Sequence, residues 1–242
     1  MQVAVIVQAR MASTRLPGKV LLDLAGKTVL RHVLERCKMI QGAAAVCCTI
    51  SESSDSNRIE EEAIRSGSIV FRGSESDVLS RYQEAAKSIG CETIMRVTSD
   101  CPLIDPQVCD RVIKLFKTSD CRFATNNSPR SWPLGLDCEV FSFETLSLAN
   151  SKTRDVHDRE HVTPWMRKNL PAASIKNLSS AKSDLAQHRW TLDTKADYKF
   201  LKKVFKLLRD NSSQTDYKSV LEIIKSHRLR HPDMTDSHRE TV

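Results

Sequence analysis

The chain has 242 residues, of which 40% are hydrophobic, 28% charged and 5% aromatic, and its formal net charge is +7. This length and composition are typical of a globular protein with a sizeable core, and no stretch approaches the ~20 apolar residues that span a bilayer. The basic residues are spread along the chain without interleaved aromatic residues, so no nucleic-acid partner is expected. With no signal peptide, no membrane segment and no CxxC pair among the eight cysteines, we expect a cytoplasmic protein with free thiols.

The first predicted element is a buried strand that leads into a cationic loop. Val3 to Val7 is an unbroken apolar run, typical of a strand covered on both faces of a parallel sheet. Three cations and two hydroxyls follow it around a Pro-Gly turn: Arg10, Ser13, Thr14, Arg15 and Lys19. Ligands bind at the carboxyl ends of strands in open α/β sheets, and cations there favour a polyphosphate. The alternative is that these cations are solvated loop charges.

Strands and helices alternate through the first half of the chain. Further strands are predicted over 44–50, 69–71 and 92–97, and helices over 28–39, 57–66, 77–89 and 107–117. This order predicts an α/β protein with a parallel or mostly parallel sheet. Thr28 is a predicted N-cap, and Asp105, directly before Pro106, is another. Asp100, at the end of the strand over 92–97, has no such structural explanation and becomes a candidate functional residue.

The second half is predicted to contain strands over 123–127, 136–141, 173–178 and 188–194 and helices over 143–150, 159–169, 195–209 and 216–226. Asp137 and Glu139 alternate with apolar residues, which predicts a strand with one wet face and leaves open whether the two carboxylates bind a ligand or only face water. Asp193 ends a predicted strand and is either a ligand or an N-cap. The cluster over 155–161 contains an H-x-x-x-H pair without the H-E-x-x-H pattern, so metal binding there is not predicted. A flexible tail is expected over 227–242.

Five parts of the sequence, in order, resemble the cytidylyltransferases that activate acidic sugars, with the strongest likeness to the branch of spore coat polysaccharide biosynthesis protein F. They are QARMASTRLPGKVL at 8–21, FRGSESDVLSRY at 71–82, RVTSDCPLIDP at 96–106, WPLGLDCEVF at 132–141, and REHVTPW with RWTLDTKADY between 159 and 198. The resemblance implies a three-layer nucleotide-diphospho-sugar transferase fold, with a mixed, mainly parallel sheet between helices. It further implies a single domain over 1–226, with a dimerisation segment within about 125–185 and a homodimer as the assembly.

The same resemblance implies CTP as the nucleotide, a sugar-type acceptor, Mg²⁺ as the cofactor and a set of site residues. The catalytic residues would be Arg15, Lys19 and Asp100, and the metal ligands Asp100 and Asp193. The nucleotide-binding residues would be Gln8, Ala9, Arg10, Ser13, Arg15, Lys19, Arg72 and Ser99. The acceptor-binding residues would be Asn126, Arg130, Asp137, Glu139, Arg159, Glu160 and His161.

The predicted reaction is transfer of CMP to an acidic sugar or sugar phosphate with release of pyrophosphate, for surface polysaccharide or glycan biosynthesis. Cations of the first loop would hold the β- and γ-phosphates, and Mg²⁺ takes one or two protein carboxylates in such sites. One alternative is a glycosyltransferase of the same fold, which should carry a D-x-D motif, whereas this chain has Asp100-Cys101-Pro102. The other is a nucleotide-binding module without turnover, against which the retained cations and aspartates count.

Overall fold

A computed structural model describes residues 2–182, 184–211 and 216–231. In chain order its strands are β1 (Val3–Gln8), β2 (Asp23–Leu24), β3 (Lys27–Thr28), β4 (Ala43–Ser51), β5 (Ile69–Gly73), β6 (Thr93–Thr98), β7 (Phe123–Thr125), β8 (Glu139–Ser142) and β9 (Ile175–Asn177). Its α-helices are α1 (Val29–Lys38), α2 (Asn57–Arg65), α3 (Val78–Ile89), α4 (Pro106–Thr118), α5 (Phe143–Lys152), α6 (Val156–His161), α7 (Pro164–Asn169), α8 (Lys195–Asp210) and α9 (Tyr217–Ser226).

The main sheet has seven strands in the order β5-β4-β1-β6-β8-β7-β9. β1 lies in its interior and pairs in parallel with both β4 and β6. Among the described strands of this sheet, only β8 runs antiparallel to its neighbours, β6 and β7. The predicted mixed, mainly parallel sheet between helices is confirmed.

Both faces of β1 are covered, which explains its continuous apolar sequence. Val3, Val5 and Val7 lie in a core cluster with residues of α1, α2 and α4. Ala4 and Ile6 belong to a second cluster, which contains residues of α3, α5 and α7. Successive side chains of a strand point to opposite faces, so a strand between two helical layers is apolar at every position.

A third apolar cluster packs α8 and α9 against the rest of the protein. It also holds the loop that precedes α8 near the end of β6. Trp132 and Trp190 are fully buried there. The predicted strand over 188–194 is wrong, because only a single bridge between Leu134 and Arg189 forms. Gly135 has a φ of 112°, and a Cβ on it would lie 2.7 Å from the Trp190 carbonyl carbon. This close backbone approach holds the loop in place, and the Leu192 N–H donates to the Asp100 carbonyl at 2.8 Å.

The helix predicted over 159–169 is two helices, α6 and α7, separated by a tight turn. Val162 has φ 72° and ψ −52°, and the Thr163 N–H donates to the His161 carbonyl at 2.8 Å. This is a classic γ-turn geometry, which is strained for a β-branched residue. The turn ends α6 at His161, and its strain is compensated by full burial of Val162 in the core.

The predicted N-caps are confirmed. The Thr28 hydroxyl accepts a hydrogen bond from the Arg31 N–H. Asp105 accepts from the Gln107 and Val108 N–H groups and, through its other oxygen, from the Tyr217 N–H at 2.7 Å. Asp105 thus joins α4 to α9 and leaves Asp100 available for the site.

The chain after α9 departs from the predicted tail over 227–242. His231 is buried, its ring packs on Phe200 with centroids 5.3 Å apart, and its Nε2 lies 2.8 Å from Asp197 Oδ1. Residues 227–231 are therefore part of the folded structure as described, and 232–242 lie outside the described residues. The eight cysteines are free thiols, as predicted. No helix in the described parts of the chain has the length and apolar character needed to cross a membrane.

Candidate active site

The carboxyl ends of β1 and β6 open into a cavity with a volume of about 690 Å³. The loop after β1 forms one wall, and Thr98 at the end of β6 forms another with Ser99 and Asp100, which follow it. Val78 and Arg81 of α3, Glu160 and His161 of α6, and Asp193 complete the lining. Predicted site residues in this lining are Gln8, Ala9, Arg10, Ser13, Arg15, Lys19, Ser99, Asp100, Glu160, His161 and Asp193.

A glycine turn directs Lys19 into the cavity. Gly18 has a φ of 66° and its N–H donates to the Met11 carbonyl at 3.0 Å, which folds the loop back on itself. This left-handed conformation favours glycine because it needs no Cβ. A short 3₁₀ turn over 19–21 starts immediately afterwards, with Lys19 as its first residue.

Lys19 lies between two carboxylates from distant parts of the chain. Its Nζ is 2.7 Å from Asp100 Oδ2 and 2.9 Å from Asp193 Oδ1. Burial alone would lower the pKa of Lys19, but the two aspartates raise it above its ordinary value. Burial alone would raise the pKa of Asp100, but Lys19 holds it below its ordinary value. Lysine and aspartate are therefore both charged at neutral pH.

Asp193 is held by a network of charged groups and is not the N-cap of α8. That cap is Thr194, which forms a capping box with Asp197. Arg189 donates to Asp193 Oδ2 at 2.9 Å and to Asp197 at 2.8 Å, and Asp197 also accepts from the Asp193 N–H at 2.8 Å. Arg15 lies 3.1 Å from Asp193 Oδ1. The Asp193 carboxylate thus has cationic neighbours on both oxygens.

The rim of the cavity is formed by an ion pair between the first loop and α6. Arg10 Nη1 lies 3.0 Å from Glu160 Oε1, and both side chains are partly exposed. His161 lies beside them, with its ring centroid 4.4 Å from that of His157. Burial lowers the pKa of His161, so the ring is mainly neutral at neutral pH.

The cavity wall also contains Arg96, whose partner Glu139 is buried behind it. Arg96 donates to Gln8 Oε1 at 3.1 Å and to Glu139 at 2.6 Å. Glu139 also accepts from Arg167 at 2.5 Å and from the Thr163 hydroxyl at 2.9 Å. Burial would raise the pKa of Glu139, but Arg96 and Arg167 hold it below its ordinary value. The predicted wet face is wrong at Glu139, which is 3% exposed, because arginines from β6 and α7 enclose it.

The other predicted site residues lie outside the cavity lining and have partners of their own. Arg72 pairs with Glu60, and Arg159 pairs with Asp77. Asn126 is buried and holds the 136–138 backbone through hydrogen bonds to the Leu136 carbonyl and the Cys138 N–H. Arg130 forms a two-bond pair with Asp137 at 2.7 and 2.9 Å. In this structure these side chains hold other parts of the protein together and do not face the cavity.

Sequence reasoning missed Arg81, which lines the cavity although it is only 2% exposed. Its Nη1 donates to the Ser74 carbonyl at 2.6 Å, and its Nε has no hydrogen-bond partner among the described residues. Burial lowers its pKa, and although Glu75 acts on it at longer range, no ion pair to Arg81 forms among the described residues. The available signal was the position of Arg81, three residues after Val78 on the apolar side of the predicted helix. A cation on an apolar helix face is unusual.

The described residues contain no cluster of three or more histidine, cysteine, aspartate or glutamate side chains that could enclose a metal ion. Asp100 and Asp193 nevertheless present one carboxylate oxygen each to a single cation, the Lys19 ammonium. Two hard oxygen donors suit Mg²⁺, which usually completes its shell with water and substrate phosphates. The donor set therefore fits a divalent metal that arrives with a phosphate ligand.

Comparison with known proteins shows similarity of sequence and fold. The family model described as "Cytidylyltransferase" matches residues 4–230. Spore coat polysaccharide biosynthesis protein SpsF of Bacillus subtilis is 31% identical over 208 residues, covering 83% of this chain and 85% of that protein. The structure of a cytidylyltransferase from Leptospira borgpetersenii superposes with a TM-score of 0.87 at 33% identity, covering 94% of this chain and 95% of that one.

A more distant structure shows the breadth of the shared fold. CMP:2-keto-3-deoxy-manno-octonic acid synthetase, solved with CTP, has a TM-score of 0.66 and 18% identity, and the match covers 87% of this chain and 100% of that one. At this identity the likeness shows the fold alone. Together with the match of the family model over 4–230, the fold and the cavity lead to one conclusion: this chain belongs to the cytidylyltransferase family.

Proposed function

We propose that this cytidylyltransferase transfers CMP from CTP to an acidic sugar or sugar phosphate and releases pyrophosphate, with Mg²⁺ as its cofactor. The observation that carries the proposal is the meeting of Lys19, Asp100 and Asp193 at one end of a cavity between the carboxyl ends of two parallel strands. A cation, two carboxylates and a strand-end cavity suit metal-dependent phosphoryl transfer.

The charge of the cavity supports anionic substrates. Among the described residues, five lining side chains are cationic and three are carboxylates: Arg10, Arg15, Lys19, Arg81 and Arg96 against Asp100, Glu160 and Asp193. A triphosphate and an acidic acceptor would both be attracted into such a cavity. The acceptor class is also supported by the relatives, because the synthetase with CTP is named for an acidic sugar and the Bacillus protein for polysaccharide biosynthesis.

In the proposed reaction an acceptor oxygen, having lost any hydroxyl proton to solvent, attacks the α-phosphorus of CTP, and the bond from that phosphorus to the bridging oxygen of pyrophosphate breaks. Arg15 and Lys19 would bind the β- and γ-phosphates and stabilise the charge that develops on the departing pyrophosphate. Asp100 and Asp193 would hold the metal, which supplies Lewis-acid polarisation of the α-phosphate when it is bound. The Ala9 backbone, directly after β1, and Ser99, directly after β6, would lie against the nucleotide.

The test is pyrophosphate release, measured with each of the four ribonucleoside triphosphates against a panel of acidic sugars and sugar phosphates, with and without Mg²⁺. We expect release only with CTP, an acidic acceptor and the metal, together with formation of the CMP-sugar. Consumption of a nucleotide sugar without pyrophosphate would favour a glycosyltransferase. Nucleotide binding without any turnover across the panel would favour a binding module. Either result would overturn the proposal.

A further inference from the structure

The ammonium of Lys19 occupies the position in which a cation shared by Asp100 and Asp193 would lie. Its Nζ contacts one oxygen of each carboxylate, at 2.7 and 2.9 Å, and the Lys19 side chain is only 13% exposed. Mg²⁺ binds carboxylate oxygens at about 2.0–2.1 Å, so an ion held by these two oxygens would lie where the ammonium lies. The Lys19 ammonium and a metal bound to these two oxygens therefore exclude one another.

The charge balance around the aspartates also disfavours a bare metal ion. Lys19 contacts both carboxylates, Arg15 and Arg189 contact Asp193, and Arg189 also contacts Asp197, so three cations already balance three carboxylates. Adding a divalent cation would raise the formal local charge from 0 to +2 in a partly buried site. Repulsion between charges at such short range is strong in a medium of low dielectric constant.

A nucleoside triphosphate removes both obstacles at once. Its phosphates add several negative charges, and they offer Lys19 an alternative partner within the same cavity. Lysine is suited to such an exchange because its ammonium is a point charge at the end of a flexible four-carbon stem. Lys19 can then leave the carboxylates as the metal reaches them.

We propose that Lys19 competes with the divalent cation for Asp100 and Asp193, so that the protein without nucleotide binds free metal ion weakly and the competition ends when the phosphates draw the ammonium away. This inference rests on the proposed function, in which Asp100 and Asp193 are the metal ligands. It assigns Lys19 a second role, as a competitor of the metal.

The experiment titrates Mn²⁺ alone into the protein and follows free Mn²⁺ by electron paramagnetic resonance, without nucleotide. We expect Lys19→Met to bind Mn²⁺ at least about tenfold more tightly than the wild type, because the competing charge is gone. Lys27→Met is the matched control, since Lys27 is an exposed lysine paired with Glu35 outside the cavity lining, and we expect wild-type affinity. The gain should disappear in Lys19→Met/Asp100→Asn.

Thermal unfolding provides a second measurement on the same proteins. Removal of Lys19 leaves two carboxylates facing one another, so saturating Mn²⁺ should raise the Tm of Lys19→Met more than that of the wild type. Lys19→Gln, which keeps a hydrogen-bond donor, is the second variant if Lys19→Met folds poorly, and the same direction is expected. With α,β-methylene CTP present, the wild type should take up Mn²⁺ to one equivalent.

Equal affinities of wild type and Lys19→Met for Mn²⁺ alone would overturn the inference, and so would the absence of Mn²⁺ binding to either Lys19 variant. The proposed function is decided separately, by pyrophosphate release from wild type and Asp100→Asn at saturating Mg²⁺ and CTP. Metal-dependent turnover that is lost in Asp100→Asn, combined with equal Mn²⁺ affinities, would retain the proposed function and reject only the role of Lys19 as a competitor.

Discussion

Two ion clusters near the carboxyl end of β6 have opposite composition. In the cavity, the ammonium of Lys19 lies between the carboxylates of Asp100 and Asp193. Behind the wall, the carboxylate of Glu139 lies between the guanidinium groups of Arg96 and Arg167. The three members of the cavity cluster have partly exposed side chains, whereas the Glu139 side chain is only 4% exposed.

The difference indicates which cluster can rearrange. A single flexible ammonium shared by two carboxylates can be replaced by another cation, and all three groups face the cavity. A buried carboxylate with two planar, multiply bonded arginines has no comparable alternative, because each broken bond would leave an uncompensated buried charge. We therefore expect the first cluster to control activity and the second to control stability.

The largest effect is expected for Asp100→Asn, which removes one carboxylate from the cavity cluster. Turnover in the pyrophosphate-release assay should fall at least about 1,000-fold, because the charged partner of the metal and of Lys19 is lost. The Tm should change little, since Asp100 is not a helix cap. Asp55→Asn, at an exposed position in the 54–56 turn, is the control and should keep wild-type activity. An active Asp100→Asn enzyme would contradict the assignment of Asp100.

For the buried cluster we expect a loss of stability. Glu139→Gln leaves Arg96 and Arg167 without their carboxylate, and the free energy of unfolding should fall by about 3 kcal/mol, measured by urea denaturation. Glu144→Gln is the control, because Glu144 is 87% exposed and lies 3.7 Å from Arg122. A change of similar size in both variants would show that burial of Glu139 does not matter.

The support of Asp193 gives a prediction with a pH dependence. Burial would raise the pKa of Asp197, but its bonds to Arg189 and to the backbone N–H groups lower the pKa to about 2. Its charge therefore stabilises the fold fully above its ordinary pKa of 3.8, and this contribution is lost as the pH falls towards 2. Asp197→Asn should lower the free energy of unfolding by about 2 kcal/mol at pH 7.

Urea denaturation of wild type and Asp197→Asn between pH 7 and pH 3 measures this difference. The difference in unfolding free energy between the two proteins should be constant down to about pH 5. It should narrow below pH 4, because the Asp197 carboxylate of the unfolded wild type then takes up a proton. A gap that stays constant down to pH 3 would show that hydrogen bonding, and not charge, is what Asp197 contributes.

The smallest effect is expected at the rim, where Arg10 and Glu160 form an exposed pair. Glu160→Gln should change the free energy of unfolding by less than about 1 kcal/mol, because exposed ion pairs are weak and screened by salt. The change should be smaller still at 0.5 M NaCl in the same urea assay. A loss of unfolding free energy above about 2 kcal/mol would show that the Arg10–Glu160 pair stabilises the protein as a buried pair does.

The sequence by itself determined the features that depend on local order. The apolar run of β1 predicts a strand buried on both faces, and the alternation of periodic segments predicts a mainly parallel sheet. Thr28 and Asp105 were recognisable as N-caps because a cap acts within three residues of itself. The cationic loop after β1 was recognisable for the same reason, as its charges are adjacent in the chain.

The tertiary structure alone decided which of the distant polar groups meet. Lys19 and Asp193 are 174 residues apart and come together because Gly135 lets a loop approach the end of β6. The alternating pattern predicts that Glu139 faces solvent. It is buried because Arg96 and Arg167, from other elements, pack against it. Arg81 likewise becomes a cavity residue only through the packing of α3 against the sheet. Periodicity reports which side of an element is apolar, whereas the partner of a charge depends on how the elements pack.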